Sequence, residues 1–560
     1  MFDNFCGNPQ KLSNHVVNRY KIPFLYKVRG HYNDGSLVMA KTVNEVAMSY
    51  KKTANIDRTY YFEGRLNYAR TFDRHRVTGL LHYYMQDFQD SKAANETAAI
   101  PKRYQALSGR ITYALNDRYL VETNFGYIGS ENFKKGEQFG FFPAIAMGWV
   151  PSEYSWFKDR LGFINFLKIR ASYGEVGNDR IIKDRRFPYI TYVQLNNVSK
   201  MWGDTPAIQE GQIGADNLSW EVAKKYNLGI DARMWHDRIN LTFEFFKDIR
   251  DGIFQERQMM PVEVGAMTNP WTNVGSMRNR GVEGNIEYSQ EIKKEMSVTL
   301  RSNFTYAINK VKHWDEAVTY PYQSKSNKPN GIYRGLIAMG LFRDSLEIIS
   351  SPKQDLGKVR PGDIRYKDVN GDGHINSDDE VALEYSKNPQ IMYGFAAEFR
   401  YKGLTVGAFF RGAGKVQYLK FGNAYRPYNF QEQGNILKSV AKQSNRWTPA
   451  WYSGDPSTEN PNAAFPRLTY GTSENNSRTS TFWLGNGRYL KLQNVDISYT
   501  LKHDALSRWG IANIVFHVVG TNLACWDKIP DKITDPEQAI YNGEKYPIQR
   551  TFTFQLSVNF

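Results

Sequence analysis

Nowhere in the 560 residues does an apolar run approach the 18 or so that a membrane-crossing helix needs, so a helical membrane protein is excluded. Cysteine is nearly absent. Cys6 and Cys525 stand at opposite ends and share no ligand-like spacing with histidine, so neither a disulfide framework nor a zinc site is indicated. The nine histidines are scattered without a His-Glu-x-x-His, and there is no Gly-x-Ser-x-Gly, P-loop or Rossmann glycine pattern. No catalytic residue and no redox or nucleotide cofactor is therefore expected, and the chain is read as not being an enzyme. The opening MFDNFCGNPQKLSNHVV also lacks the apolar core and small-residue cleavage site of a secretory signal. For an exported protein, that omission predicts a missing N-terminal part.

A composition break that would divide the chain into domains is absent as well, so residues 1–560 read as one large repetitive architecture. What is abundant is aromatic and small: aromatics make up 14%, with 36 Tyr, 33 Phe and 44 Gly. That mixture suits many strands joined by tight turns and flanked by interfacial aromatic girdles. The net charge, 72 Lys and Arg against 57 Asp and Glu, is +15. The cations are dispersed, Lys183, Arg185 and Arg186 being the densest group, so no nucleic-acid stripe forms and a solvated face explains them.

Period-two alternation recurs in segments of about ten residues, the pattern of barrel strands with one face to lipid and one to the lumen. Phe62, Gly64, Leu66 and Tyr68 lie on one face and are answered, after a turn at Asp73–His75, by Val77, Gly79, Leu81 and Tyr83. Leu107, Ile111, Tyr113 and Leu115 pair similarly with Tyr119, Val121, Phe125 and Tyr127, leaving Arg110 and Glu122 on the polar face. Short turns near 73–76, 116–118, 235–238, 290–294 and 402–403 alternate with long connections near 89–104, 175–219, 249–276, 310–388, 413–485 and 523–548. Outer-membrane barrels show this asymmetry, with short periplasmic turns and long external loops. The reading is an all-β, transmembrane, antiparallel up-and-down barrel of about 16 strands, beginning near Ile22–Tyr32 and ending at Thr551–Phe560. The final TFTFQLSVNF places Phe552, Phe554, Leu556, Val558 and Phe560 on one face, and resembles the terminal signal read by the outer-membrane assembly machinery.

Several stretches, in order, resemble the SusC/RagA family of TonB-dependent outer-membrane transporters: DRYLVETNFGYIGSENF, FFPAIAMGWVPSEYSWF, LKIRASYGEVGND, NLSWEVAKKYNLGID, NVGSMRNRGVEGNIEY, PGDIRYKDVNGDGHIN and RYLKLQNVDISYTL. The resemblance runs from about Tyr60 to Phe560. It implies a 22-stranded barrel in the bacterial outer-membrane lipid bilayer, an N-terminal plug, a SusD-like lipoprotein lid, and energy from the TonB-ExbB-ExbD complex reached through the N-terminal part. It also implies import of oligosaccharides or peptides. Plug, TonB-contacting segment and roughly six strands find no counterpart here. The chain is therefore expected to be a fragment that does not close a barrel by itself, since each open edge leaves backbone groups unsatisfied in hydrocarbon.

Within the long 310–388 loop, residues 368–379 place Asp368, Asn370, Asp372, His374, Asn376 and Asp379 at positions 1, 3, 5, 7, 9 and 12, with Gly373 at 6. This is the spacing of an EF-hand calcium loop, His374 offering its carbonyl and Asp379 standing where glutamate is usual. A structural Ca²⁺ clip is one expectation; a solvated Asp/Asn/Gly turn that binds nothing is the other. Trp149, Trp156, Trp220, Trp235 and Trp509 could stack on sugars, but interfacial girdle or lumen packing is the commoner explanation. Tyr425, Tyr428 and Trp451 in the 413–485 loop are candidates for a surface facing substrate or lid. The competing class is a secreted or surface-attached β-rich protein that binds glycans or mediates adhesion. The C-terminal aromatic strand and the alternation of turn lengths favour the barrel.

Overall fold

The computed structural model describes residues 26–41, 57–90, 99–180, 186–202, 205–211, 213–215, 217–260, 263, 269–420, 425, 437–469, 471, 473–529, 534–538, 546 and 548–560. Cys6, Lys183, Arg185, Tyr428 and the start of the first expected strand at Ile22 lie outside these residues.

Fifteen strands form one antiparallel sheet in which every strand pairs with its neighbours in sequence. They are β1 (Asp57–Phe72), β2 (His75–Asp90), β3 (Lys102–Leu115), β4 (Tyr119–Ser130), β5 (Phe139–Trp149), β6 (Ile164–Asn178), β7 (Glu221–Met234) and β8 (Ile239–Glu256). There follow β9 (Trp271–Lys293), β10 (Met296–His313), β11 (Ile391–Tyr401), β12 (Leu404–Gly414), β13 (Tyr489–Leu501), β14 (Asn513–Asp527) and β15 (Thr551–Asn559). The expected first strand is not part of this sheet: Tyr26–His31 pairs with Leu37–Lys41 as a separate hairpin, so the count is 15 rather than about 16. Strands β1 and β15 are the two edges of the sheet.

The turn chemistry explains why one end is trimmed short. Asp73, Asn116, Asp117, His236, Asp237 and Lys402 adopt positive φ, as does Gly403 at +82°. Short polar side chains tolerate this left-handed backbone best, and it matches the twist of tight hairpins. The longer connections at this end, 150–163 and 502–512, carry single helical turns at Ser155–Arg160 and Asp504–Ser507.

Alternation separates the two faces. On one, Leu228, Ile230, Phe245, Ile286, Leu300 and Phe304 are exposed apolar side chains. On the other, ion pairs join neighbouring strands: Arg110 to Glu122 at 2.6 Å and Arg301 to Glu287 at 2.8 Å. Charge on the alternate face is what a spanning strand requires, because Lys or Arg on the lipid face costs about 2–4 kcal/mol at the bilayer midplane. At the short-turn end, Tyr119 and Trp149 pair across strands β4 and β5, and the Tyr154 hydroxyl donates to that of Tyr119 at 2.6 Å.

The long connections are not structureless. The largest buried cluster lies wholly within 314–390 and 415–488, joining Leu336, Ile364, Tyr366, Ile375, Val440, Trp447, Phe465 and Trp483 among others. The 310–388 segment therefore shares one core with the following long loop. A second cluster of Phe133, Ala215, Leu218 and Phe254 ties two other connections to the long-loop end of β8, and Trp220 packs against it, 4.8 Å from Phe133 between ring centroids.

Candidate functional site

The chemistry gathers at the long-loop end and along the ion-paired face below it. Pro361–Tyr366 forms the hub of the loop assembly. Gly362 takes φ +84°, and a Cβ there would lie 2.3 Å from the Trp447 ring, so this position needs glycine for conformation and for space. The turn aims Asp363 inward, where it is fully buried. Its carboxylate accepts from the Arg360 N–H at 2.8 Å and from Asn476 Nδ2 at 2.7 Å, and pairs with Arg467 Nε at 2.8 Å. Asn475 and Asn476 complete the junction: the Ile364 N–H donates to Asn476 Oδ1 at 2.9 Å, and Gln354 Nε2 donates to Asn475 Oδ1 at 2.6 Å. Four of these contacts join partners more than 100 residues apart in sequence, so the two loops are held in one register. Being satisfied, the network favours a single arrangement of the loops.

Tyr425, expected on a surface, is instead 4% exposed and packs within this core beside Val440 and Trp483. Trp451 is 85% exposed on the one-turn helix Ala450–Ser453, edge-on to Tyr452. Trp509 is exposed on the opposite, short-turn side, and Trp220 packs between Phe133 and Phe142. Phe552, Phe554, Leu556 and Val558 project from edge strand β15 on one exposed face, and Phe560 follows directly.

The acidic loop is held by its own backbone. Asp368 accepts from the N–H groups of Gly371 and Gly373 at 2.7 and 2.9 Å, and Asp372 from that of His374 at 2.7 Å. Asp379, fully buried, accepts from Val369 at 2.7 Å and from Asn376 at 3.0 Å. Asn376 caps the turn at Ser377–Asp379, and Asn370 Nδ2 donates to Asp372 Oδ2 at 2.8 Å. The His374 ring meets Asp355 at 2.6 Å. Lys353, and then His374, hold the Asp355 carboxyl below its usual range. Among the described residues no three His, Cys, Asp or Glu side chains converge closely enough to hold a metal ion. As folded, the carboxylates point at N–H donors rather than at a common centre.

A cavity of about 500 Å³ opens beside the ends of β8 and β9. Phe254 and Trp271 stack in its wall with ring centroids 5.2 Å apart, and Lys325 lies 5.2 Å over the Trp314 ring. Asp315 is anchored there by Arg257 at 2.9 Å. Lower down the polar face, Arg170 reaches Asp231 at 3.0 Å, Asn227 at 3.4 Å and Glu244. Gly229 leaves room for it, since a Cβ there would fall 2.7 Å from the guanidinium carbon. Near the mouth, the fully buried Lys491 binds Asp535 at 2.8 Å and Glu537 at 3.3 Å, while Arg411 meets Glu537 at 2.7 Å, fastening the last long connection to β12 and β13.

Apart from the acidic loop, none of these groupings was expected as a site. Arg170 stands within the LKIRASYG stretch, but its partners come from two later strands. Asn475 and Asn476 carry no local signal beyond turn-like composition.

A wide antiparallel meander with one apolar and one ion-paired face, tight turns at one end and a folded loop assembly at the other, is the architecture of an outer-membrane transport barrel. The family model described as TonB dependent receptor-like, beta-barrel, matches residues 14–430. The chain belongs to that family, which comprises outer-membrane receptors and transporters rather than enzymes. It is 27% identical over 480 residues to TonB-dependent receptor P26 of Formosa agariphila, covering 81% of this chain and 46% of that protein. It is 24% identical over 489 residues to TonB-dependent receptor SusC of Bacteroides thetaiotaomicron, covering 85% and 46%. Among solved structures, that of the RagAB peptide transporter superposes with a TM-score of 0.69 at 18% identity, covering 90% of this chain and 56% of the other. The chain thus spans about half the length of the curated relatives it matches.

Proposed function

We propose that the protein imports oligosaccharides or peptides across the outer membrane, as the barrel portion of a SusC-like transporter energised by TonB-ExbB-ExbD and working with a SusD-like lipoprotein. The observation that carries this reading is the asymmetry of the sheet: its polar face carries cross-strand ion pairs, and the largest folded loop assembly among the described residues lies at one end. The aromatic cavity at Phe254, Trp271 and Trp314 offers flat apolar faces beside Asp315 and Lys325. Such surfaces suit a sugar ring or a peptide side chain. Trp451 is the exposed aromatic that a lid or substrate would meet.

Deleting the encoding gene tests the reading. Growth should be lost on one oligosaccharide or on peptides as sole carbon source, and returned by the intact gene. Undiminished growth and uptake across both substrate classes would overturn it. Loss of surface adhesion without loss of growth would instead support the glycan-binding class.

Calcium binding by residues 368–379 is proposed on spacing alone. Asp368, Asn370, Asp372, Asn376 and Asp379, with the His374 carbonyl, would supply the oxygen shell once the carboxylates turn from their N–H donors. Calorimetric titration with Ca²⁺ should give a binding heat that Asp372→Asn weakens. No heat in the unaltered protein would leave the self-capped turn as the whole role of this loop.

A further inference from the structure

On the apolar face of the sheet, the rows are continuous up to one level and then change character. Leu228, Phe245, Val282 and Tyr306 stand directly opposite one another across β7 to β10. One step nearer the long loops, the row reads Tyr226, Lys247, Arg280 and Ile308. The next reads Lys224, Ile249, Arg278 and Lys310. Lys247 therefore faces Arg280, and Arg278 faces Lys310, as two adjacent cross-strand pairs of like charge. Like charges also face each other at Asp57 and Asp90, Glu244 and Glu283, and Arg411 and Lys491, but on the polar face, where Arg170 engages Glu244 and Glu537 engages both Arg411 and Lys491. Like charges directly across a pair are destabilising unless something lies between them.

Among the described residues no carboxylate neutralises these four. Among the described residues none of Lys247, Arg278, Arg280 and Lys310 makes an ion pair. The nearest carboxylates on this face have other engagements: Glu175 stands opposite Lys224 and accepts from the Tyr173 hydroxyl, and Asp251 accepts from Ser276 at 3.0 Å. Lys415 adds a further cation one row below, 4.9 Å over the Tyr306 ring. Tyr226 and Tyr306 are the interfacial aromatics that mark where hydrocarbon ends. The cations therefore sit at headgroup level in the outer leaflet, where they are tolerated, and not in the apolar band.

We propose that Lys247, Arg278, Arg280 and Lys310 form an exterior binding site for the phosphate groups of outer-leaflet glycolipid. The charge complementarity is direct: a phosphate between the two pairs accepts from both, and the two guanidinium forks can each bind it in bidentate fashion. The site depends on the barrel lying in the outer membrane and does not depend on what it imports. The lipid would act as a fixed collar on β8, β9 and β10, whose upper ends carry the aromatic cavity.

The test uses the full protein extracted from outer membranes in mild detergent. Bound phosphorylated glycolipid is counted by mass spectrometry, and binding of purified lipid A, its dephosphorylated form and inorganic phosphate is then titrated. The unaltered protein should retain the phosphorylated lipid, and K247Q/R278Q/R280Q/K310Q should bind it at least about tenfold more weakly, with the dephosphorylated form bound weakly by both. Heat-modifiable gel mobility reports whether the quadruple variant folds. If it does not, R278Q/R280Q carries the same comparison. Equal retention by variant and parent, equal binding of the dephosphorylated lipid, or inorganic phosphate bound as tightly as lipid A each overturns the assignment.

Discussion

Asp363→Ala should release the loop assembly while leaving the sheet intact. The substitution removes a fully buried carboxylate and strands Arg467, whose side chain is 18% exposed, without its counter-charge. Breaking one side of a buried pair costs about 3–5 kcal/mol, more than any single solvent-facing contact in these loops supplies. Asn476 Nδ2 and the Arg360 N–H lose their acceptor at the same time. Limited proteolysis should then cut within 314–390 and 415–488 at protease levels that spare the parent, while the strands remain protected and gel mobility stays that of a folded barrel. Asp363→Asn, which keeps an acceptor but not the charge, should fall between. An unchanged digestion pattern in Asp363→Ala would mean that the apolar cluster around Trp447 and Trp483 holds the loops without this network.

Ile230→Arg should act on the other half of the molecule. Ile230 stands opposite Phe243, two rows below Lys247 and Tyr226, near the middle of the apolar band. An arginine there is expected to cost about 2–4 kcal/mol, close to the midplane limit for barrel walls. Thr305→Arg is the control. Thr305 lies on the ion-paired face, opposite Glu283, and a cation there should change stability by only about 0.5 kcal/mol. Denaturant unfolding in lipid vesicles compares the two. Equal effects would reject the assignment of the apolar face to lipid.

These two substitutions differ in how much of their logic is visible in the chain. Ile230 belongs to a period-two run, Tyr226, Leu228, Ile230 and Ala232, that turns at His236 and Asp237 into Ile239, Leu241, Phe243 and Phe245. Register follows almost directly, because a slip of one residue would bury Asp231 and Glu244 in lipid and expose the apolar set to the polar side. The observed pairing of Ile230 with Phe243 is the one this argument requires. Asp363 is different. PGDIRYKDVNGDG reads as a polar loop, and nothing local distinguishes the aspartate that is fully buried from those that cap a turn. Tyr425 failed as a surface expectation for the same reason: an aromatic in a long connection carries no periodicity to say which side it faces.

By itself, then, the sequence determined the strands from Asp57 onward, though not that Tyr26–His31 stands apart from the sheet, together with their antiparallel order, which end has tight turns, and which face is apolar. Each of these follows from neighbours one or two residues apart or from a hairpin of adjacent segments, where the alternation of side chains is itself the physical constraint. Tertiary structure alone decided that two loops separated by β11 and β12 share one core, that Arg170 gathers Asp231 and Glu244 from later strands, and that four cations from β8, β9 and β10 meet in two adjacent rows. Those outcomes depend on contacts between segments far apart in the chain, and on where buried charge finds its partner. Polar composition cannot show this, because a solvated aspartate and a paired one are the same letter.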